Sequence, residues 1–444
     1  MTPPREHARA ILDAALAAAN ARAAVVRALS LDGHRLTVAG EEEVDLASID
    51  RVLLIGAGKA AAGMAAGALE VLGDRISGGS ISTKDGHGAE LPRIEVWEAA
   101  HPVPDTRGMA GAADALRLAR SAGPRDLVLC VLSGGASALW PAPVRGVSLT
   151  ELQAVTDALL RSGATIHEIN TVRKHLSRIG GGWLAHAAAP ARVVTLAVSD
   201  VVGGALDVIA SGPTVPDPTT YEEALEVLQS REITPPSLIR AHLQAGDAGE
   251  RDETPKPGDR VFHRASAHVI AGNHDALAGA AAGAERLGYR ARIVADDLEG
   301  EARSVGEQVA LLAMNTLAER PTEPLALLLG GETTFTVHGR GRGGRNQELA
   351  LALAVELEGV DGVLAACIGT DGTDGPTDAA GAFADGGTVA RGSAAGLDAR
   401  DALRRNDAYP FLRAAGDLIV TGPTGTHVND LVLVLVGAQR QDAD

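Results

Sequence analysis

Six times along its 444 residues the chain repeats one arrangement: a short apolar run, a loop of Gly, Ser, Thr and Asp, and then usually an Ala/Leu stretch. The runs are Arg51 to Ile55, Leu127 to Leu132, Val193 to Val198, Leu325 to Leu329, Val363 to Ile368 and Leu418 to Val420. They show no polar alternation, so each strand must be buried on both faces, as in a mostly parallel or mixed sheet flanked by helices. That predicts an α/β fold, Rossmann-like in its first part. In such sheets ligands bind beyond the carboxyl ends of the strands, so the six loops are where chemistry is expected.

A chain of this length is too long for one ordinary core and predicts at least two domains. Gln244 to Asp259 reads QAGDAGERDETPKPGD, without apolar periodicity, and is the expected linker. The expected domains are residues 1–243 and 260–444, with 244–259 between them. Hydrophobic residues make up 45% and charged residues 22%, as in globular proteins. Aromatics are only 2%, so Ala, Val, Leu and Ile must build the core. With 40 basic against 57 acidic residues the net charge is -17, which excludes nucleic acid as a partner but not a small phosphate in a local basic pocket. Cys130 and Cys367 lie in apolar runs and read as small buried hydrophobes in a reducing, cytoplasmic protein. The N-terminus reads as an amphipathic helix rather than a signal peptide, and no run has the ~20 apolar residues of a membrane span.

The loops carry the candidate site. Gly56, Gly58 and Lys59 follow a strand and open a helix, matching the relaxed dinucleotide pattern G-x-G-x-x-A. A lysine at a helix N-terminus opposes the dipole, which suggests an anion beside it. Its position at the fingerprint and Lys84 at the end of the next strand, where a ribose-binding acid is expected, speak against a nicotinamide cofactor. Ser133, Gly134, Gly135 and Ser137 form another strand-to-helix turn suited to phosphate or carboxylate, or simply a Ser cap. Arg173, Lys174 and His175 cluster on one segment, where His175 reads as a satisfied, partly buried histidine. Asp200 ends a strand and suits metal binding or proton acceptance.

GGETTFTVHGRGRGGRNQEL, Gly330 to Leu349, sets Arg340, Arg342 and Arg345 among glycines and reads as a hairpin tip opening onto a helix. Arginine offers a planar fork for carboxylate and phosphate. Glu332 and Asn346 flank it as candidate binding residues. Asp371, Asp374 and Asp378 lie at i, i+3 and i+7, unlike an EF-hand, and would suit Mg²⁺ held by one or two carboxylates plus substrate phosphates. The alternative is a set of ordinary Asp-Gly turns. Thr421 to Asp430 is a similar loop with His427, Asn429 and Asp430. The chain has no P-loop, no kinase H-R-D with D-F-G, no G-x-S-x-G elbow and no zinc-spaced His/Cys set.

GAGKA, HPVPD (His101 to Asp105), SGGASAL, INTVRKHLS, SDVVG with IASGPTVPDPTT, GRGGRNQELAL, GTDGTDGPTDAAGA and DLIVTGPTGT, in this order, resemble the glycerate 2-kinases of the bacterial and animal type, whose C-terminal part is the MOFRL domain. The resemblance runs over nearly the whole chain. It implies two α/β domains with the active site in the interdomain cleft. It also implies ATP- and Mg²⁺-dependent phosphorylation of D-glycerate at the 2-hydroxyl, giving 2-phosphoglycerate. Lys59, Arg345 and Asp200 are implied as catalytic and Asp371, with Asp374, as metal-binding. Gly56, Gly58, Ser133, Gly134, Gly135, Ser137, Arg173, Glu332 and Asn346 are the expected substrate or phosphate contacts. Gly204, Gly180, Trp183 and His427 depart from the family pattern. A hydroxypyruvate reductase and a non-catalytic sugar-phosphate sensor are the alternatives, and a homodimer is left open.

Overall fold

Runs of Ala, Val, Leu and Ile without polar alternation become strands covered on both sides, and the helices that cover them come from the Ala-rich stretches between. A computed structural model describes residues 3–199 and 206–437. Asp200 and Gly204 therefore lie outside the described residues. The chain divides into two compact units: Ala21–Ile270, and the part from Ala271 onward together with the segment up to Asn20.

In the first unit, β1 (Leu29–Asp32), β2 (Arg35–Val38) and β3 (Glu42–Asp45) form a small antiparallel sheet. The main sheet contains β4 (Arg51–Ala57), β5 (Ile76–Lys84), β6 (Ile94–Ala99), β7 (Asp126–Leu132), β8 (Arg192–Val198) and β9 (Ala265–Ala271). Its order is β6-β5-β4-β7-β8-β9, and β6 through β8 pair in parallel. The chain turns one way from β4 and the other way from β7, so the carboxyl ends of these neighbours mark the switch point where α/β sheets bind ligands. Leu53, Ile55 and Ala57 of β4 and Val128, Cys130 and Leu132 of β7 pack with Ala112, Ala115 and Leu116 of the helix Thr106–Ser121.

The expected linker lies inside this unit. Gln244 to Asp247 end the helix Ser237–Asp247. Farther on, Glu253 Oε1 takes a hydrogen bond from His175 Nε2 at 3.0 Å, and Thr254 Oγ1 donates to Asp217 at 3.0 Å. Polar composition looked like a linker because these side chains belong to a partly buried polar network rather than to an apolar face.

In the second unit, β10 (Arg290–Glu301), β11 (Leu325–Thr334), β12 (Val363–Gly369), β13 (Gly381–Asp385), β14 (Leu418–Ile419) and β15 (Asp430–Val436) form a mixed sheet in the order β10-β11-β15-β12-β13-β14. The N-terminal helix Pro3–Ala18 belongs here because it packs closely on the helix Asn273–Arg286. A Cβ placed on Gly279 would stand 2.4 Å from Ala18 Cβ, so only glycine allows that approach. The division thus departs from the expected one at both ends. Among the described residues no helix is long and apolar enough to cross a membrane.

Two local expectations change. Gly330 to Thr334 is not a loop but the end of β11. The arginine-glycine segment forms no hairpin; Arg345 is the first residue of the helix Arg345–Glu356, with Gly344 as its cap.

Candidate active site

The glycine turn after β4 was expected to cradle phosphate with its amides, but those amides are already used. Gly58 N–H donates to Ser82 O at 3.1 Å, and Lys59 N–H to Gly134 O at 3.0 Å. Ala60 N–H donates to Ser133 Oγ at 3.0 Å. The glycines instead let adjoining segments touch: a Cβ on Gly56 would stand 2.3 Å from Val131, and one on Gly58 2.1 Å from Ser133 Oγ. Gly56, Gly58 and Ser133 are therefore packing and capping residues, and what this turn offers a ligand is the Lys59 side chain.

The loop after β7 is different. The amides of Gly134, Gly135, Ala136 and Ser137 have no acceptor among the described residues. Gly135 takes φ +84, and a Cβ there would lie 3.1 Å from the His101 ring and 3.3 Å from Lys59 Cγ. Lys59 and His101 therefore flank an open row of donors at the switch point. Nothing local marks His101 for a role, because its nearness to Lys59 depends on two distant segments meeting.

The helix Ile166–His175 starts with a capping box between Thr165 and Glu168. Lys174 is buried and paired with Asp217 at 3.3 Å and Asp207 at 3.4 Å, and His175 lies between Thr171 O at 2.7 Å and Glu253. Arg173 alone of this basic cluster has no acceptor or carboxylate among the described residues, although it is largely withdrawn from solvent. Burial pushes its guanidinium below the usual range. An uncompensated, poorly solvated cation is costly unless an anion completes it.

In the second unit, β15 runs antiparallel to β11 and β12, so its amino end meets their carboxyl ends: Asp430 stands opposite both Gly331 and Gly369. Arg345 pairs with buried Asp430 through Nε at 2.7 Å and Nη2 at 3.0 Å, and its Nη1 donates to exposed Glu332. Burial opposes its charge, but Asp430 and Glu332 more than offset that and hold it firmly protonated. Asn346 Nδ2 also donates to Asp430 at 2.9 Å. Nothing in the local sequence marks Asp430 for this role, because the loop Thr421 to Asp430 meets Arg345 only in the fold.

Asp374 does not fit the expected magnesium role. Its Oδ1 accepts from Asn346 N–H at 3.1 Å and its Oδ2 from Gln347 N–H at 2.8 Å, so it caps the Arg345 helix from a neighbouring loop. Asp371 accepts from Thr373 N–H at 2.9 Å and lies 3.9 Å from His427 Nδ1. Among the described residues no group of three or more His, Cys, Asp or Glu side chains could hold a metal ion. Arg345 is outnumbered by Asp430 and Glu332, which favours a ligand that arrives with its own cation.

Burial raises Asp374 to about 7 despite its two amide bonds. Its stabilising contribution is full below the unfolded carboxylate value of roughly 4 and is lost as pH rises to about 7. Asp374→Asn, which keeps one acceptor and never ionises, should gain in Tm relative to the unsubstituted protein between about pH 5 and about pH 8. Thermal melts at both values test this; a pH-independent Tm difference rules out ionisation of Asp374 in that window.

Residues 7–244 match the family described as domain of unknown function DUF4147, and residues 325–430 match the MOFRL family. The D-glycerate 2-kinase of Thermotoga maritima is 46% identical over 400 residues, covering 89% of this chain and 93% of that protein. The chain belongs to the glycerate 2-kinase family of the DUF4147–MOFRL type. The glycerate 2-kinase of Pyrococcus horikoshii is 41% identical, covering 98% of both chains. A relative from Agrobacterium vitis named putative hydroxypyruvate reductase is 42% identical over 98% of this chain and 94% of its own. The crystal structure of Thermotoga maritima glycerate kinase superposes with a TM-score of 0.81 at 41% identity, covering 97% of this chain and 99% of that one. Glycerate 2-kinases of this family thus share the fold over nearly the full length described here.

Proposed function

We propose that this chain transfers the γ-phosphoryl group of ATP to the 2-hydroxyl of D-glycerate, giving 2-phosphoglycerate and ADP. The observation that carries the reading is Arg173, a largely buried guanidinium without an anion among the described residues, on the unit that also presents Lys59 and the open amides of Gly134 to Ser137. Together these groups suit a substrate that carries a carboxylate and whose hydroxyl becomes a phosphate ester.

In this reading Arg173 takes the glycerate carboxylate, and Lys59 with the open amides neutralises the phosphoryl group in flight. The bond from the 2-hydroxyl oxygen to the γ-phosphorus forms as the bond from that phosphorus to the β,γ-bridging oxygen breaks. Asp200 accepts the hydroxyl proton. Arg345 holds buried Asp430, and its contact with exposed Glu332 is the one that an anion could replace. Mg²⁺ enters with ATP as part of the substrate, and Asp371 is the carboxylate proposed to meet it. Two buried, unpaired thiols suit the cytoplasm.

The reductase name carried by some relatives sets the competing reading, but the turn expected to hold a dinucleotide has no amide to spare at Gly58, Lys59 or Ala60. One assay decides. With D-glycerate, ATP and Mg²⁺, product coupled directly to enolase without a mutase should give signal, and Arg173→Ala should raise KM for glycerate by roughly 10-fold or more. NADH consumption with hydroxypyruvate and no enolase signal would establish the reductase instead. Neither signal would leave a binding protein.

A further inference from the structure

Ser137 was expected to hold phosphate, which requires its hydroxyl to donate. The hydrogen bonds behind it dictate otherwise. Val208 O can only accept, so Asn170 must turn Nδ2 toward it, at 3.4 Å. That leaves Asn170 Oδ1, an acceptor, facing Ser211 Oγ at 3.0 Å, and Ser211 must give it its single proton. Ser137 Oγ lies 3.0 Å from Ser211 Oγ. Since the Ser211 proton is committed, Ser137 is the donor in this pair. The chain therefore runs one way, from Ser137 through Ser211 and Asn170 to Val208 O, and Ser137 retains only lone pairs for anything outside.

The backbone keeps this polarity fixed. Ala210 and Ser211 take φ +55 and +58, left-handed values that are unfavourable for residues bearing a Cβ. The turn is held by Gly181 N–H on Ser211 O and Gly182 N–H on Gly212 O, each at 2.8 Å. Asn170 and Ser211 are buried, whereas Ser137 is half-buried in the loop whose amides are open. Asn170 stands one helical turn before Arg173, on the same side of the helix.

We propose that Ser137 is a specificity-determining acceptor that takes a hydrogen bond from the 3-hydroxyl of the hydroxy acid. This rests on the kinase reading above, in which the carboxylate goes to Arg173 and the 2-hydroxyl is phosphorylated, leaving the 3-hydroxyl as the substrate's remaining donor. Lone pairs facing the site repel phosphate oxygens and favour an O–H. A site built to hydrogen-bond a substrate hydroxyl discriminates strongly against the analogue lacking it.

The test compares D-glycerate with D-lactate, which lacks the 3-hydroxyl, as substrate or competitive inhibitor. In the unsubstituted protein glycerate is expected to be favoured by roughly 100-fold. Ser137→Ala should lower kcat/KM for glycerate by ~10-fold or more, leave D-lactate unchanged and leave KM for ATP unchanged. Ser211→Gly should act in the same direction, because it removes the acceptor that orients Ser137 while relieving the left-handed backbone. A merely structural role would lower both substrates together, and that result overturns the assignment. An undiminished glycerate preference in Ser137→Ala overturns it as well. A parent protein that does not phosphorylate glycerate at all overturns the kinase reading itself, so the two failures are distinguishable.

Discussion

Lys59→Ala should lower kcat for glycerate phosphorylation by ~10³-fold, with a smaller loss of stability than Arg345→Ala. The turn that presents Lys59 is held by main-chain bonds from Gly58, Lys59 and Ala60, none of which needs the lysine side chain. Removing the ammonium takes away a cation beside the open amides of Gly134 to Ser137 without disturbing the turn. Arg345→Ala should behave differently. Asp430 is buried at 2% exposure, and its ion pair with Arg345 would leave an uncompensated carboxylate if the guanidinium were lost. Breaking such a pair costs about 3–5 kcal/mol, so this variant should lose both activity and stability. Steady-state kinetics with thermal melts separate the two. Near-normal turnover in Lys59→Ala removes it from the chemistry, and an unshifted melt in Arg345→Ala removes the structural role of the pair.

Gly58→Ala should also damage the fold. Gly58 adopts φ +131, and a Cβ would stand 2.1 Å from Ser133 Oγ and 2.4 Å from Ser133 O. The backbone cannot relax without moving Ser133, whose hydroxyl caps Ala60 N–H. Backbone strain and overpacking together amount to roughly 3 kcal/mol or more. If the glycine merely left room for a phosphate, alanine would impair binding and spare stability. A variant that melts like its parent would restore the cradle reading of GAGKA, and a large fall in Tm supports close contact between two loops as the reason for the glycine.

Several features were legible in the sequence because they depend on neighbours along the chain. Five of the six apolar runs became buried strands, as expected of residues covered on both faces, whereas Leu418–Ile419 is a two-residue edge strand and Val420 is exposed. Lys59 at a strand-to-helix turn was visible for the same reason. Other readings failed where side chains are shared between distant segments. The polar stretch 244–259 looked like a linker because its partners, His175 and Asp217, lie far away in sequence. Asp374 looked like a metal ligand, since a carboxylate in an Asp-Gly loop carries no mark that it will cap a helix beginning 29 residues earlier at Arg345.

What the sequence determined by itself was the α/β class, the identity of the loops that end the strands, and a family resemblance carried by long ordered motifs. Hydrophobic periodicity and turn chemistry are local, so a linear reading captures them. Only the tertiary structure decided which polar groups are consumed and which stay open. It used up the amides around Lys59 and left those of Gly134 to Ser137 open. It also paired Arg345 with Asp430 and left Arg173 without a counter-ion among the described residues. Hydrogen bonds and ion pairs are satisfied in space, and sequence distance gives no account of that.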